Sequence, residues 1–511
     1  MILALAQSTA AGIVQPPPAR DPELTRQITD LAREATALTA RIDALAVKYP
    51  APPSRLEIFH GYMGIFVVSF LVAIFATPIM RRLAIANGVV DRPSEARKVH
   101  RVPIAYLGGV AVYLGILAGI VFAYTTPFHD LCTFHASTRD AGVGGTKSAL
   151  LLPGGVPLSI ILGMTVIMLC GLFDDVVGMS PRIKIAGMLF AAAALATEDV
   201  GVKVAAGLIV PVARAIGVHI TTLPGGVETI LLSVPGPGFS IPVDVVYWTG
   251  TAVIAIFVLG ACNASNLIDG LDGLLSGTTA IANAGLLVIA LGLAAADDGP
   301  LDAPRIVMCL AVLGACLGFL PHNFNPATIF LGDAGSLLLG FCTIVIVLML
   351  GDTGKTNLVL AGLIIYAIPI IDAALAIVRR KMARKRISEA DDQHLHHMLK
   401  RALGVKGAVF VLYGIGAIFA AIGIALSEER QRVTYALALV FAAFIGVIAL
   451  KIGRREHIER EMHEAEARRA RSAGVSVPSG AVHGAAAHCE PAAPGVTPAA
   501  AKPAEPVRAT T

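Results

Sequence analysis

Apolar runs separated by short polar segments fill most of this chain. A membrane-spanning helix needs about 20 mostly apolar residues. Runs of roughly that kind lie at 58–79, 104–126, 156–173, 183–198, 245–262, 275–295, 305–321, 334–350, 357–378, 407–426 and 433–451, which predicts eleven spans. A further apolar stretch, 203–218, is short and interrupted by Pro211 and Arg214, so it reads as part of an outer loop. Residues 219–246 are rich in Gly, Pro and β-branched residues, and HITTL and TILLSV within them predict two short strands of a hairpin. Before the first span, Leu24, Ile28, Leu31, Ala35, Leu38, Ile42 and Leu45 recur at helical spacing. That pattern predicts an amphipathic helix over 21–48, suited to packing or to a short coiled coil. After 451 a mixed-charge run, KIGRREHIEREMHEAEARRAR, predicts a solvated helix. The Ala-, Pro- and Gly-rich residues 473–511 predict disorder. The expected architecture is an all-α polytopic membrane protein with a short outer β-hairpin. It has an N-terminal extension (1–57), a transmembrane catalytic region (58–451) and a charged helix with a disordered tail (452–511).

Composition supports the same class. The 511 residues are 55% hydrophobic and 15% charged, with a mean hydropathy of +0.73, whereas soluble domains carry about 25% charged residues. The net charge of +4 is small, and no basic patch interleaved with aromatics points to nucleic acid. The cations are unevenly placed. Arg81, Arg82, Arg92, Arg97, Lys98 and Arg101 follow the first span, and Arg379, Arg380, Lys381, Arg384, Lys385, Arg386, Lys400 and Arg401 follow the ninth. The positive-inside bias puts these loops in the cytoplasm, the N-terminus outside and the C-terminus inside. The expected location is the cytoplasmic (inner) membrane. The seven Cys are scattered, with no pair sharing an aqueous compartment, and read as small core hydrophobes rather than a disulfide framework.

The same topology gathers the polar motifs on the cytoplasmic face. GLFDDVVGMSPRIK (171–184) has adjacent Asp174 and Asp175, whose repulsion calls for a cation. Lys184 follows across a turn in which Pro181 suits a helix N-terminus. It can pair with a carboxylate or hold a phosphate. NASNLIDGLDGL (263–274) spaces Asn263, Asn266, Asp269 and Asp272 by three, which on one helix makes a single polar stripe. It lacks the Gly and Glu positions of an EF-hand. FNPATIFLGDAGS (324–336) holds Asp333 between glycines, suited to Mg²⁺, with Ser336 beginning the next helix. HLHH supplies His394, His396 and His397, whose spacing is awkward for zinc and better suited to phosphate contact. Lys98 and His100, in DRPSEARKVHRVPIAYLGG (91–109), are further phosphate candidates. Carboxylates and amides are costly at membrane depth and mark function there.

These segments, in this order, resemble the polyprenyl-phosphate N-acetylhexosamine-1-phosphate transferase superfamily, glycosyltransferase family 4. The motifs are D-x-P-x4-R-K-x-H from Asp91, D-D-x4-S-P-x2-K from Asp174, N-x2-N-x2-D-G-x-D-G from Asn263, N-x2-P-A-x-I-F-x-G-D-x-G-S from Asn323 and H-x-H-H from His394. The resemblance covers about 60–450 and implies a metal-dependent transfer. A prenyl phosphate attacks the diphosphate of a UDP-N-acetylhexosamine, and UMP leaves. Mg²⁺, or Mn²⁺ in its place, is the implied cofactor. The implied partners are the nucleotide sugar, the lipid, the membrane and a second copy in a homodimer. In that picture Asp333 holds the metal, Asp174 binds or deprotonates the lipid phosphate, and Asp175 supports the metal or Lys184. Asn263, Asn266, Asp269 and Asp272 line the nucleotide and metal pocket, and the three His contact diphosphate or sugar. Lys98 and His100 bind substrate.

In S-P-x2-K and H-x-H-H the chain resembles the branch using UDP-GlcNAc, which primes O-antigen, enterobacterial common antigen or teichoic-acid linkage units. The alternative is phospho-N-acetylmuramoyl-pentapeptide transferase. A secondary transporter is a third reading, but transporters hold their carboxylates at the midplane between inverted repeats. Here the carboxylates sit at span ends, and no internal repeat is visible.

Overall fold

The structure, a computed structural model, describes residues 54–91, 103–124, 155–222, 228–236, 239–296, 299, 301–382, 395–428 and 432–437, with isolated positions besides. Of the expected 21–48 helix, the described positions 26, 30, 31 and 33–37 are helical and exposed, and the C-terminal tail lies outside the described residues.

The chain is mostly helical: α1 (Arg55–Ala86), α2 (Gly108–Tyr124), α3 (Leu158–Val177), α4 (Pro181–Thr197), α5 (Lys203–Ala215), α6 (Val245–Ile268), α7 (Leu274–Ala295), α8 (Asp302–Asn323), α9 (Gly332–Met349), α10 (Thr356–Ile365), α11 (Ala367–Met382) and α12 (Leu395–Glu428). Capping sets several boundaries. Ser54 and Glu57 form a reciprocal capping box at the start of α1. Asp244 accepts the Tyr247 N–H to open α6, and Pro181 occupies the first turn of α4.

Among the described residues, seven helices are long and apolar enough to cross a membrane, or eight if the α10–α11 pair, bent by 80°, is one span. The expected count of eleven is therefore not confirmed among the described residues. α2 and α4, of 17 residues each, reach only about 26 Å at about 1.5 Å per residue, short of a hydrocarbon core of about 30 Å. The 433–451 run lies almost wholly outside the described residues. The 203–218 stretch is helical in part: α5 has 13 residues, too short to span.

The outer segment also differs in detail. Thr221–Thr222 (β3) pairs with Glu228–Thr229 (β4), while Leu231–Gly236 (β5) pairs with Phe239–Asp244 (β6). Among the described residues HITTL thus pairs through its threonines, and most of TILLSV finds the downstream FSIPVD instead. An antiparallel ladder outside the expectation joins Val90–Asp91 (β1) to Ile104–Ala105 (β2).

The core centres on α8 and α9. Every residue from Ala334 to Met349 is buried. α9 is surrounded by α2, α3, α6 and α8, and α8 also packs on α1 and α7. Close approach is what permits this. A Cβ at Gly109 would fall 2.1 Å from the Gly335 nitrogen, and one at Gly171 would fall 2.5 Å from the Ala334 Cα. α2 and α3 therefore touch the first turn of α9 backbone to backbone. Cys262, Cys309, Cys316 and Cys342 are free and buried in this core, as expected of small apolar side chains.

Candidate active site

The carboxylate motifs meet at one end of the bundle. There the ends of α3, α6 and α8 adjoin the starts of α4, α7 and α9. Lys184 Nζ, one turn into α4, lies 2.7 Å from Asp174 Oδ2 and 2.5 Å from Asp333 Oδ2. One ammonium thus joins two carboxylates that are far apart in sequence. The D-D-x4-S-P-x2-K spacing makes this happen locally: Asp174 Oδ1 also accepts the Met179 N–H at 2.7 Å, which closes the turn into α4.

Asp175 does something different. Its Oδ1 accepts the Asp333 N–H at 2.8 Å and its Oδ2 the Ala334 N–H at 3.0 Å. Those are unpaired donors of the first turn of α9, so Asp175 neutralises that helix N-terminus. Asp333 stands in that same first turn, because α9 begins at Gly332. Ser336, expected to begin the helix, is a buried residue within it and lines the cavity.

The 263–274 stripe is not continuous. α6 ends at Ile268, and Asp269–Gly273 forms a bend, with Gly273 at φ 76° entering α7. Gly tolerates that left-handed backbone without a Cβ clash. Asn263 is left on the exposed flank, its amide donating to the Leu259 carbonyl at 2.7 Å, and it does not line the cavity. Asn266, Asp269 and Asp272 do line it. Asp272 Oδ2 accepts from the Asn325 amide at 2.8 Å and from the Ala327 N–H at 3.0 Å. Asn323 Oδ1 accepts from the Gly273 N–H at 3.1 Å and from Ser276 Oγ at 3.0 Å. The second and third motifs are thus zipped together.

The resulting cavity has a volume of about 440 Å³ and is lined by Asp91, Tyr106, Asn266, Asp269, Asp272, Asn325, Phe330, Asp333 and Lys400 among others. Tyr106 and Phe330 were not singled out from sequence. The ladder places them: Phe330 donates to the Ala105 carbonyl at 2.9 Å, and Gly108 to that of Phe330 at 3.0 Å. Their rings face each other at 6.1 Å. Burial, then the charges of Asp91, Asp175 and Asp333, hold the Tyr106 phenol well above its ordinary value, so it stays a donor. The Asp269 carboxyl is pushed up to about 8 by burial, then by Asp333, Asp175 and Asp272. Lys400 was noticed only as a loop cation; it lies on α12 and reaches the wall.

His396 is 1% exposed and stands behind Gly270 rather than in the cavity. His394, the His397 side chain, Lys98 and His100 lie outside the described residues.

The donor set bears on the metal. Among the described residues no three His, Cys, Asp or Glu side chains converge as a ready-made cage. Mg²⁺ does not require one, since it takes one or two carboxylates and completes its shell with phosphate and water. The crowding of Asp175, Asp269, Asp272 and Asp333, expressed in the raised Asp269, fits an added divalent cation. Asp333 and Asp269 face the cavity and suit that task. Asp175, with both oxygens committed to backbone N–H groups, suits the helix anchor better.

Known proteins are similar to this sequence. The profile of glycosyl transferase family 4 matches residues 157–351. A probable undecaprenyl-phosphate N-acetylglucosaminyl 1-phosphate transferase of Bacillus subtilis is 30% identical over 75% of this chain and 90% of its own length. A decaprenyl-phosphate N-acetylglucosaminephosphotransferase of Mycolicibacterium smegmatis is 32% identical over 74% of this chain and 86% of its own. A phospho-N-acetylmuramoyl-pentapeptide-transferase of Staphylococcus epidermidis is 34% identical over only 38% of this chain and 56% of its own length.

Proposed function

Since the chain belongs to the polyprenyl-phosphate sugar-1-phosphate transferases of glycosyl transferase family 4, we propose that it transfers N-acetylglucosamine 1-phosphate from UDP-GlcNAc to undecaprenyl phosphate. UMP is released and undecaprenyl-diphospho-GlcNAc forms. The lipid phosphate oxygen bonds to the sugar-bearing phosphorus, and the bond from that phosphorus to the UMP oxygen breaks. The protein sits in the inner membrane with the cavity towards the cytoplasm, where the nucleotide sugar is found, and acts as a homodimer. The UDP-GlcNAc branch is favoured because the two relatives named for N-acetylglucosamine transfer match along most of the chain, while the Staphylococcus pentapeptide transferase matches a part.

The Lys184 bridge between Asp174 and Asp333 is the observation that carries the mechanism. Phosphoryl transfer needs positioning and charge neutralisation more than covalent chemistry. Lys184 brings a fixed positive charge to the point where the α3–α4 turn meets α9, where a phosphate would lie. Asp174, held by Lys184 and the Met179 N–H, orients the attacking lipid phosphate and takes its proton if one is present. Asn266 and Asp269 offer hydrogen-bonding groups to the nucleotide sugar, and the Tyr106 hydroxyl and Lys400 ammonium add donors on the walls. Phe330 offers an aromatic face to the base. A divalent cation on Asp333, when bound, would neutralise the diphosphate and stabilise the leaving UMP.

The test is UMP release by protein purified in detergent with Mg²⁺, undecaprenyl phosphate and UDP-GlcNAc. Release that requires both the lipid and Asp333, judged with Asp333→Ala, is expected. Release with the muramoyl-pentapeptide nucleotide instead would keep the mechanism and change the branch. Silence with every nucleotide sugar, together with solute transport, would replace the enzyme by a transporter.

A further inference from the structure

We propose that Asp372 is a positioning residue of this site: it holds His396 against Gly270 and so fixes the bend that carries Asp269 and Asp272 into the cavity. The role in the reaction rests on the transferase reading above, but the linkage itself does not.

Asp372 belongs to none of the polar motifs. It lies in α11, within the apolar bent pair, and is 1% exposed. A carboxylate at that depth is expensive unless it is paired, and its partner usually identifies its task. One partner is His396, at the start of α12 and also 1% exposed, with Nδ1 3.4 Å from Asp372 Oδ2. The other edge of the imidazole faces Gly270. A Cβ built there would stand 2.4 Å from Nε2 and 3.1 Å from Cδ2. The ring is therefore clasped between a carboxylate and a glycine backbone. The carboxylate at that distance is close to Nδ1 without hydrogen-bond geometry, and its charge and bulk bias which way the ring points.

Gly270 is the thin part of the cavity wall. It lines the cavity between Asp269 and Asp272, with His396 directly behind it. The Asp272–Gly273 end of the bend is held by Asn325, Ala327 and Asn323, whereas at its other end Gly270 donates to the Ile268 carbonyl at 2.8 Å and Asp269 has left the helix at φ −74°, ψ 49°. The same ring seats α12. Lys400 is four residues beyond His396, on the same helix face, and reaches the cavity. One buried contact therefore bears on both the Asp269 end of the bend and the cation opposite it.

The consequence is a coupling between Asp372 and Gly270, which lie on opposite sides of the imidazole. Gly270→Ala, Asp372→Ala, His396→Ala and the two double variants that combine Gly270→Ala with either of the others would be purified, and each measured for thermal unfolding and for UMP release. With Asp372 holding the ring against Gly270, Gly270→Ala is expected to displace the bend and lower kcat by about 10- to 100-fold, as a misplacement of about 1 Å does. In the Asp372→Ala or His396→Ala background the added methyl has room. There it should cost several-fold less in kcat and less in melting temperature. Additive losses in both readouts would overturn the proposal, because residues that do not act through a shared partner add. Asp372→Asn, which keeps the volume, serves if Asp372→Ala does not fold, with the same coupling expected. If wild-type protein releases no UMP, the activity reading fails, while the melting cycle still decides the linkage.

Discussion

At the scale of single residues, charge placement decides the chemistry. Lys184 neutralises two carboxylates at once, so Lys184→Met leaves Asp174 and Asp333 facing each other. UMP release should then fall by on the order of 10²- to 10³-fold, the usual effect of removing one aimed electrostatic group. Lys184→Arg should recover part of it. Asp269 gives a pH prediction. Its folded pKa, about 8, lies above the ordinary 3.8, so the folded protein binds the extra proton. The resulting stabilisation is full below 3.8 and lost as pH rises through about 8. Without divalent cation, the wild-type melting temperature should drop across that window relative to Asp269→Asn. A wild-type curve parallel to that of the variant would show that Asp269 does not titrate there.

Between elements, the contacts are made by backbones. Asp175 joins the end of α3 to the first turn of α9 through two N–H groups. Asp175→Ala should destabilise the protein by about 1–3 kcal/mol by leaving those donors unpaired, whereas Asp175→Asn keeps an acceptor and should melt closer to wild type. Gly109→Ala tests the α2–α9 approach. Its Cβ would meet the Gly335 nitrogen at 2.1 Å, where no side chain can yield. Overpacking of this kind costs about 1–3 kcal/mol or more, and displacement of Asp333 should reduce turnover in the protein that remains folded. Circular dichroism melts and UMP release read the two effects separately.

For the whole molecule, alternation of helices brings the functional ends together and sends the β3–β6 region to the other end. Ser180, in the α3–α4 turn, and His219, before β3, are both exposed. Cys placed at 180 should react with a membrane-impermeant thiol reagent only in inverted vesicles, and Cys at 219 only in intact cells. The opposite result would reverse the proposed orientation. The background for the experiment carries Cys132→Ser and Cys489→Ser; among the described residues Cys262, Cys309, Cys316 and Cys342 are buried and Cys170 is partly so.

Hydropathy and cation bias, which are local properties, were enough to reveal a polytopic helical protein with its carboxylate motifs gathered at one end. Membrane helices must satisfy their backbones internally, so long apolar runs have few alternatives. Motif spacing was legible for Asp174 and Lys184 because one tight turn joins them, and the order of the motifs marked the family. Other features depended on which elements become neighbours. Asn263 and Asp269 share a three-residue spacing, yet the helix stops between them and only Asp269 reaches the cavity. Asp175 reads like Asp174 in sequence, but α9 arrives over it and takes both of its oxygens. Tyr106 enters through a two-residue ladder too short to show any period. Asp372 looks like an isolated acid in an apolar run until α12 folds back and sets His396 against it. A residue's type and its near neighbours are written along the chain. The partner that fixes its charge, proton and direction comes from a distant segment, and packing alone selects that segment.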